Sequence, residues 1–153
     1  MNNARLLREK QEIDNLFGQV LAFAGDPYYQ SLMTYYLCIR VSGFVENCVR
    51  IVFAEYSLPR AQDQVRTYLD RTLATFPNPT FDNICKLATK FDDQWPKNLK
   101  AAVDARTRQS LESIRINRNN IAHGGSSTIT LSQLSNYYND VLRLVDALER
   151  TCV

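Results

Sequence analysis

Glycine and proline are scarce in this chain, five of each in 153 residues. An all-β fold draws on both for its many turns, so their shortage excludes that class. No stretch approaches the roughly 18 uncharged apolar residues that a membrane-crossing helix needs. The opening Met-Asn-Asn-Ala-Arg-Leu-Leu-Arg-Glu-Lys has no apolar secretory core. A soluble, cytoplasmic protein with no membrane partner is expected. The four cysteines, Cys38, Cys48, Cys85 and Cys152, lack the short paired spacing of zinc and redox sites. Cys38 and Cys48 fall in one apparent helix, roughly 15 Å apart at about 1.5 Å per residue, too far to bridge. Reduced thiols, no metal and no cofactor are expected. Carboxylate clusters and phosphate loops are missing too, and the adjacent Asp92 and Asp93 would diverge on a helix. Histidine is scarcest of all: His123 stands alone.

What is present begins with a core. At 45% hydrophobic the chain can form one compact domain, 1–153, and is too short to expect two. The net charge is only +2, but it is unevenly spread. Residues 1–96 carry ten Lys/Arg against eleven Asp/Glu, residues 97–118 carry six against two, and residues 119–153 carry two against three. The positive excess thus lies in the stretch ending at Arg118, which suits a focused contact with an anion, although a solvated basic helix face has the same charge.

Several segments repeat their apolar residues at helical spacing, so the fold class is all-α. The first helix is expected over Ala4–Ala24, with Leu7, Ile13, Leu16, Phe17, Val20, Leu21 and Phe23 as its apolar stripe and Gly25 ending it. Asp26 and Pro27 supply an N-cap and a first-turn proline for a second helix to about Tyr56. Apolar residues surround most of its circumference, as expected of a central helix. Its polar exceptions, Arg40, Gly43, Glu46, Asn47 and Arg50, form a stripe that needs partners. Pro59 opens a third helix to about Thr75, Phe76-Pro77-Asn78-Pro79 interrupts, and Thr80 caps a fourth over Phe81–Phe91. Trp95-Pro96 marks another break. From Lys97 the pattern is again helical, in two pieces, until Gly124-Gly125 ends it, and Thr130 with Gln133 forms a capping box for the last helix. An up-and-down bundle of about five to seven helices with a long central second helix follows.

The segment Arg118-Asn119-Asn120-Ile121-Ala122-His123 carries the chemistry. On a regular helix Asn119 and His123 share a face, and Arg118 and Asn119 flank His123 from one turn below. In a last turn, unsatisfied carbonyls favour the imidazolium. A titrating histidine beside a permanent cation and an amide can move a proton and stabilise a phosphate that gains charge. A lone histidine at a helix end also serves commonly as a cap or a surface residue.

Arg118-Asn119-x-x-x-His123 resembles the Arg-x(4–6)-His signature of the HEPN superfamily (higher eukaryotes and prokaryotes nucleotide-binding), with its polar residue directly after the arginine. Ser42-Gly43-Phe44-Val45-Glu46-Asn47-Cys48-Val49-Arg50 is similar to the corresponding section of the RiboL-PSP type of HEPN domain, including a Glu-x-x-x-Arg pair. The resemblance spans nearly the whole chain in helix order and length. It implies a short bundle that dimerises, with two signatures meeting to form a metal-independent ribonuclease site. The chemistry leads to the same symmetry: cleavage needs a base for the ribose 2′-OH and an acid for the leaving 5′-oxygen, and each chain has one histidine.

In that scheme His123 is the acid/base, Arg118 stabilises the charged transition state, and Asn119 orients the phosphate or the histidine. Glu46 aligns Arg118 or His123. Arg50 pairs with Glu46 or contacts phosphate, with an ordinary i,i+4 salt bridge of about 0.5 kcal/mol or less as the alternative for both. Arg115 and Asn120 are further substrate contacts, and Lys97, Lys100, Arg106 and Arg108 guide RNA. The pairs Tyr28-Tyr29, Tyr35-Tyr36 and Tyr137-Tyr138 either stack on bases or fill a core or dimer interface. The resemblance therefore implies an RNA endonuclease, a toxin or antiviral defence effector acting on tRNA or another exposed loop, with RNA, a second copy of itself and an antitoxin or regulatory protein as partners. The competing expectation is a non-catalytic HEPN dimerisation or nucleotide-binding module, or a partner subunit.

Overall fold

The computed structural model describes residues 1–76 and 79–152. Seven α-helices, α1 (Ala4–Leu21), α2 (Pro27–Ser57), α3 (Asp63–Ala74), α4 (Phe81–Thr89), α5 (Trp95–Ala102), α6 (Ala105–Ala122) and α7 (Leu131–Cys152), and one 3₁₀ turn over Leu58–Arg60 make up the regular structure among the described residues. No described helix is long and apolar enough to cross a membrane.

Local chemistry sets most of the boundaries. The Asn3 side chain accepts from the N–H groups of Arg5 and Leu6 at the start of α1. Asp26 accepts from the Tyr29 N–H at 3.1 Å, with Pro27 in the first turn of α2. Thr80 caps α4 through the Asn83 N–H at 3.1 Å, and Asp104 caps α6 through the Thr107 N–H at 2.7 Å. The box before α7 is reciprocal: Gln133 N–H donates to Thr130 Oγ1, and Thr130 N–H donates to Gln133 Oε1.

Three expected elements differ. Helix α1 stops at Leu21, and its core residues are Leu6, Ile13 and Val20, while Leu7, Leu21 and Phe23 are exposed. Leu6 rather than Leu7 follows the seven-residue step that one face of α1 presents to its neighbours. Pro59 does not open a helix: it tightens the end of α2 into the 3₁₀ turn, and α3 begins at Asp63. Trp95-Pro96 forms the first turn of α5, where proline lacks only an N–H that the helix does not use. The Pro77-Asn78 part of the expected interruption lies outside the described residues.

Helix α2 is central, packing on α1, α3, α6 and α7. Leu37, Cys38, Val41, Phe44, Val45, Cys48, Val49, Val52 and Phe53 are buried around it. Helices α6 and α7 pack on each other as well as on α2. At the end of α2 the Trp95 ring meets Tyr56 edge-on at 4.6 Å, lies near Phe53 at 5.9 Å and stacks on Phe91 at 6.1 Å. At the other side of the core, Tyr138 stacks on Phe17 at 5.1 Å and donates its hydroxyl to Asp14 at 3.0 Å. All four cysteines are free and buried. Burial pushes the Cys38 thiol up to about 12, which leaves it protonated and unreactive at neutral pH.

Candidate active site on the last turn of helix α6

Helix α6 ends in a tight cap built from its own backbone. His123 is the capping residue, with φ −95° and ψ 14°, and its N–H donates to the Asn119 carbonyl at 3.1 Å. Gly124 N–H donates to the Ile121 carbonyl at 3.1 Å, and Gly125 N–H donates to the Asn120 carbonyl at 2.7 Å. This pair of bonds is the Schellman arrangement, and it satisfies carbonyls that a helix end otherwise leaves open. Gly124 has φ +72°, the left-handed region where an L side chain is strained. The glycine pair therefore ends the helix and sets the height at which the exposed His123 stands.

Arg118 and Asn119 are half-buried on the turn beneath, and Asn120 is exposed. Arg118 Nη1 donates to Asn119 Oδ1 at 3.2 Å, so the amide directly after the arginine orients its guanidinium. Arg115, one turn further back, is held in a two-point pair by Glu112, Nε to Oε2 at 2.9 Å and Nη2 to Oε1 at 2.5 Å. That hydrogen-bonded pair holds the Glu112 carboxyl below its ordinary value and raises the Arg115 guanidinium further.

The chain after His123 is fastened by Ser127 and Asn117, which the sequence pattern did not single out, and by Tyr35, which it offered for base stacking or packing. Ser127, buried, donates to Asn117 Oδ1 at 2.8 Å and accepts from the Ile129 N–H at 3.2 Å. Asn117 donates to the Ser113 carbonyl at 2.8 Å, and Tyr35 of α2 donates its hydroxyl to the Ser127 carbonyl. Tyr35 thus works as a clamp between α2 and the loop that follows the site. A serine in a loop and an asparagine within a helix are too common for sequence to mark these as positioning residues.

Within one chain, Arg50 is drawn into a network with α1. Helices α2 and α6 run antiparallel: Tyr35 meets Ser127, the Cys38 sulfur lies 3.9 Å from the Ile114 carbonyl, and Ser42 and Val45 border one small cavity with Leu111 and Ile114. Glu46 directly follows Val45, which borders that cavity together with Arg115 of α6. Arg50 is a further turn away and donates to Asn47, whose amide donates to Glu9 of α1 at 3.0 Å. Arg40 of the same polar stripe meets Glu12 of α1 at 3.7 Å. Glu9 and Glu12 of α1 thus meet Asn47 and Arg40, and Arg50 joins that network through Asn47.

The basic lead-in is also partly spent on the fold. Arg108 donates to the carbonyls of Val103 and Lys100, both at 2.7 Å, closing the end of α5, and lies over the Phe81 ring at 4.4 Å. Arg106 reaches Asp140 of α7. Among the tyrosine pairs, Tyr138 is buried in the core, whereas Tyr28 and Tyr29 are exposed. Among the described residues no three His, Cys, Asp or Glu side chains cluster in a way that could hold a metal ion.

Comparison with known proteins adds one match, to the family model described as RiboL-PSP-HEPN, over residues 4–153. Neither a curated protein nor a solved structure matches the chain.

Proposed function

The chain belongs to the RiboL-PSP-HEPN family, and from that premise we propose that it is a metal-independent RNA endonuclease whose active site is shared by two copies of the chain. The observation that carries this reading is the last turn of α6, where exposed His123 stands on a rigid glycine cap one turn above an arginine oriented by its neighbouring asparagine. A phosphate resting there meets a permanent cation and an imidazole.

Transphosphorylation of RNA requires two proton transfers. In a homodimer, one His123 takes the proton of the ribose 2′-OH as that oxygen bonds to phosphorus. The other His123 gives a proton to the 5′-oxygen as the P–O5′ bond breaks. The two Arg118 side chains stabilise the charge on the non-bridging oxygens, and Asn119 holds them in register. The products are a 2′,3′-cyclic phosphate and a 5′-hydroxyl end. Glu46 in this reading supports the site from α2, and Asn120 and Arg115 flank the RNA. Exposed apolar residues support the dimer: Leu32, Tyr36 and Ile39 follow one face of α2, and Ile116 is exposed on α6 two turns before His123. In this reading the nuclease is a toxin or antiviral effector restrained by an antitoxin or regulatory partner.

The test is cleavage of end-labelled RNA in EDTA, with solution mass measured in parallel. The wild-type dimer is expected to cut, and His123→Ala and Arg118→Ala to lose about 10²-fold or more. Intact RNA with the wild type, or equal cutting by His123→Ala, overturns catalysis at this site and leaves a non-catalytic HEPN module. A strict monomer at micromolar concentration removes the shared site.

A further inference from the structure

Helix α2 is apolar on two sides. On one, Leu37, Val41, Phe44 and Val45 are buried in the core of the chain. On the other, Tyr29, Leu32, Tyr36 and Ile39 are exposed. With the half-buried Gly43 they recur at alternating steps of three and four residues, the spacing of a seam between two helices. No charged residue occurs from Pro27 to Ile39.

Gly43 is a second, independent observation. It stands within a helix of 31 residues, where glycine is less favourable than any residue except proline. A β-carbon added there would meet no atom within 4 Å among the described residues, so packing within the chain does not require its small size. Close approach of another helix does.

The histidine points to the occupant. One chain supplies one imidazole, so the shared site is incomplete without a second copy. Arg115 borders a small cavity with Ser42 and Val45 of α2, and Asn119 and His123 follow it along α6 at four-residue steps, which sets the site beside α2. The lack of charge suits the same occupant: in a symmetric pair each side chain meets its own copy, where like charges would repel.

We propose that two copies of α2 pair in parallel along Tyr29, Leu32, Tyr36, Ile39 and Gly43, about a two-fold axis that runs along the helices, an inference that rests on the shared nuclease site described above. The direction follows from the position of the histidine. The Cys38 sulfur lies 3.9 Å from the Ile114 carbonyl, and His123 is nine residues beyond Ile114 on a helix antiparallel to α2, so it stands towards the Tyr29 end of the seam. A two-fold perpendicular to α2 at the middle of the seam sends the two histidines to opposite ends. Placed near Leu32 instead, it leaves Ile39 and Gly43 uncovered. The parallel pair covers the whole seam and keeps both histidines at one end. Arg40 is drawn aside to Glu12 of α1 at 3.7 Å and forms part of a polar rim.

The full chain carries its own probe, because all four native cysteines are buried. Leu32→Cys, Ile39→Cys and Gly43→Cys are each expected to link to their own copy under mild oxidation or with a short bifunctional thiol reagent, and Tyr68→Cys, exposed on α3, to stay unlinked. Linkage at only one of Leu32→Cys and Gly43→Cys, which are three turns apart, overturns the parallel direction. In sedimentation, Ile39→Glu and Gly43→Arg are expected to raise the dimer dissociation constant about tenfold or more with helix content retained. An undisturbed dimer in both variants, or a wild type that is monomeric, overturns the seam. Linkage at all three positions without cleavage of RNA in EDTA removes the nuclease and leaves the seam, whereas cleavage by a dimer that ignores both substitutions removes the seam and leaves the nuclease.

Discussion

Gly125 stands directly over Asn120: its N–H donates to the Asn120 carbonyl at 2.7 Å, and a β-carbon added to it would meet that same oxygen at 3.0 Å. The contact closes α6 two residues beyond His123 and leaves little room for a side chain, so the position of the histidine depends on a glycine that does no chemistry.

Substituting this cap is expected to act on stability and on cleavage together. Gly124→Ala, at φ +72°, costs about 1 kcal/mol, and Gly125→Ala a similar amount, each lowering the midpoint of thermal unfolding by roughly 2–4 °C. Cleavage should fall by more than the small loss of folded protein explains, because the imidazole moves. Melting curves and initial rates on the same samples check this, and unchanged rates with lowered midpoints would separate the cap from the chemistry.

A composite site has a subunit signature. If the two His123 side chains serve as base and acid, a heterodimer of wild type and His123→Ala lacks one of the two and should be about as inactive as the doubly substituted dimer. Differentially tagged chains, purified as the mixed dimer, give the measurement. Half of the wild-type rate would mean that each chain works alone.

The clamp behind the site predicts a different effect. Ser127→Ala removes the donor to Asn117 and the acceptor for Ile129, at a cost of about 1–2 kcal/mol for a buried polar pair. Tyr35→Phe removes only the bond to the Ser127 carbonyl and should cost less. Hydrogen exchange at residues 124–130 is expected to quicken in both, with the overall fold retained.

Stability should depend on pH at the acid end. The backbone and side-chain hydrogen bonds from Thr107 hold Asp104 below its ordinary value, the Arg115 pair does so for Glu112, and the amino terminus, at 2.6 Å, does so for Asp146. Each depressed carboxyl adds stability that is present above its ordinary value and is lost as pH falls through its lower folded value. Denaturant midpoints should therefore hold near neutrality and decline below about pH 4.5. A flat profile down to pH 3 would show that these bonds contribute nothing net.

The sequence by itself determined the helices and the candidate chemistry. Asp26-Pro27, Thr80, Thr130 with Gln133, and Gly124-Gly125 are local signals whose energy lies within one turn of chain, so they act before tertiary packing and were legible as written. The same holds for Arg118, Asn119 and His123, whose spacing on one helix needs no other element. Tertiary structure alone decided what the central helix meets. The polar stripe of α2 finds Glu9 and Glu12 of α1, and Arg50 joins it through Asn47 instead of turning to His123, because the direction of a side chain on a helix packed on several sides depends on which neighbour it meets. Packing likewise spent Arg108 on the end of α5 and buried Asp140 between α6 and α7. Charge counted along the chain cannot distinguish a cation that closes a helix from one that waits for a phosphate, since only the fold decides which acceptors come within reach.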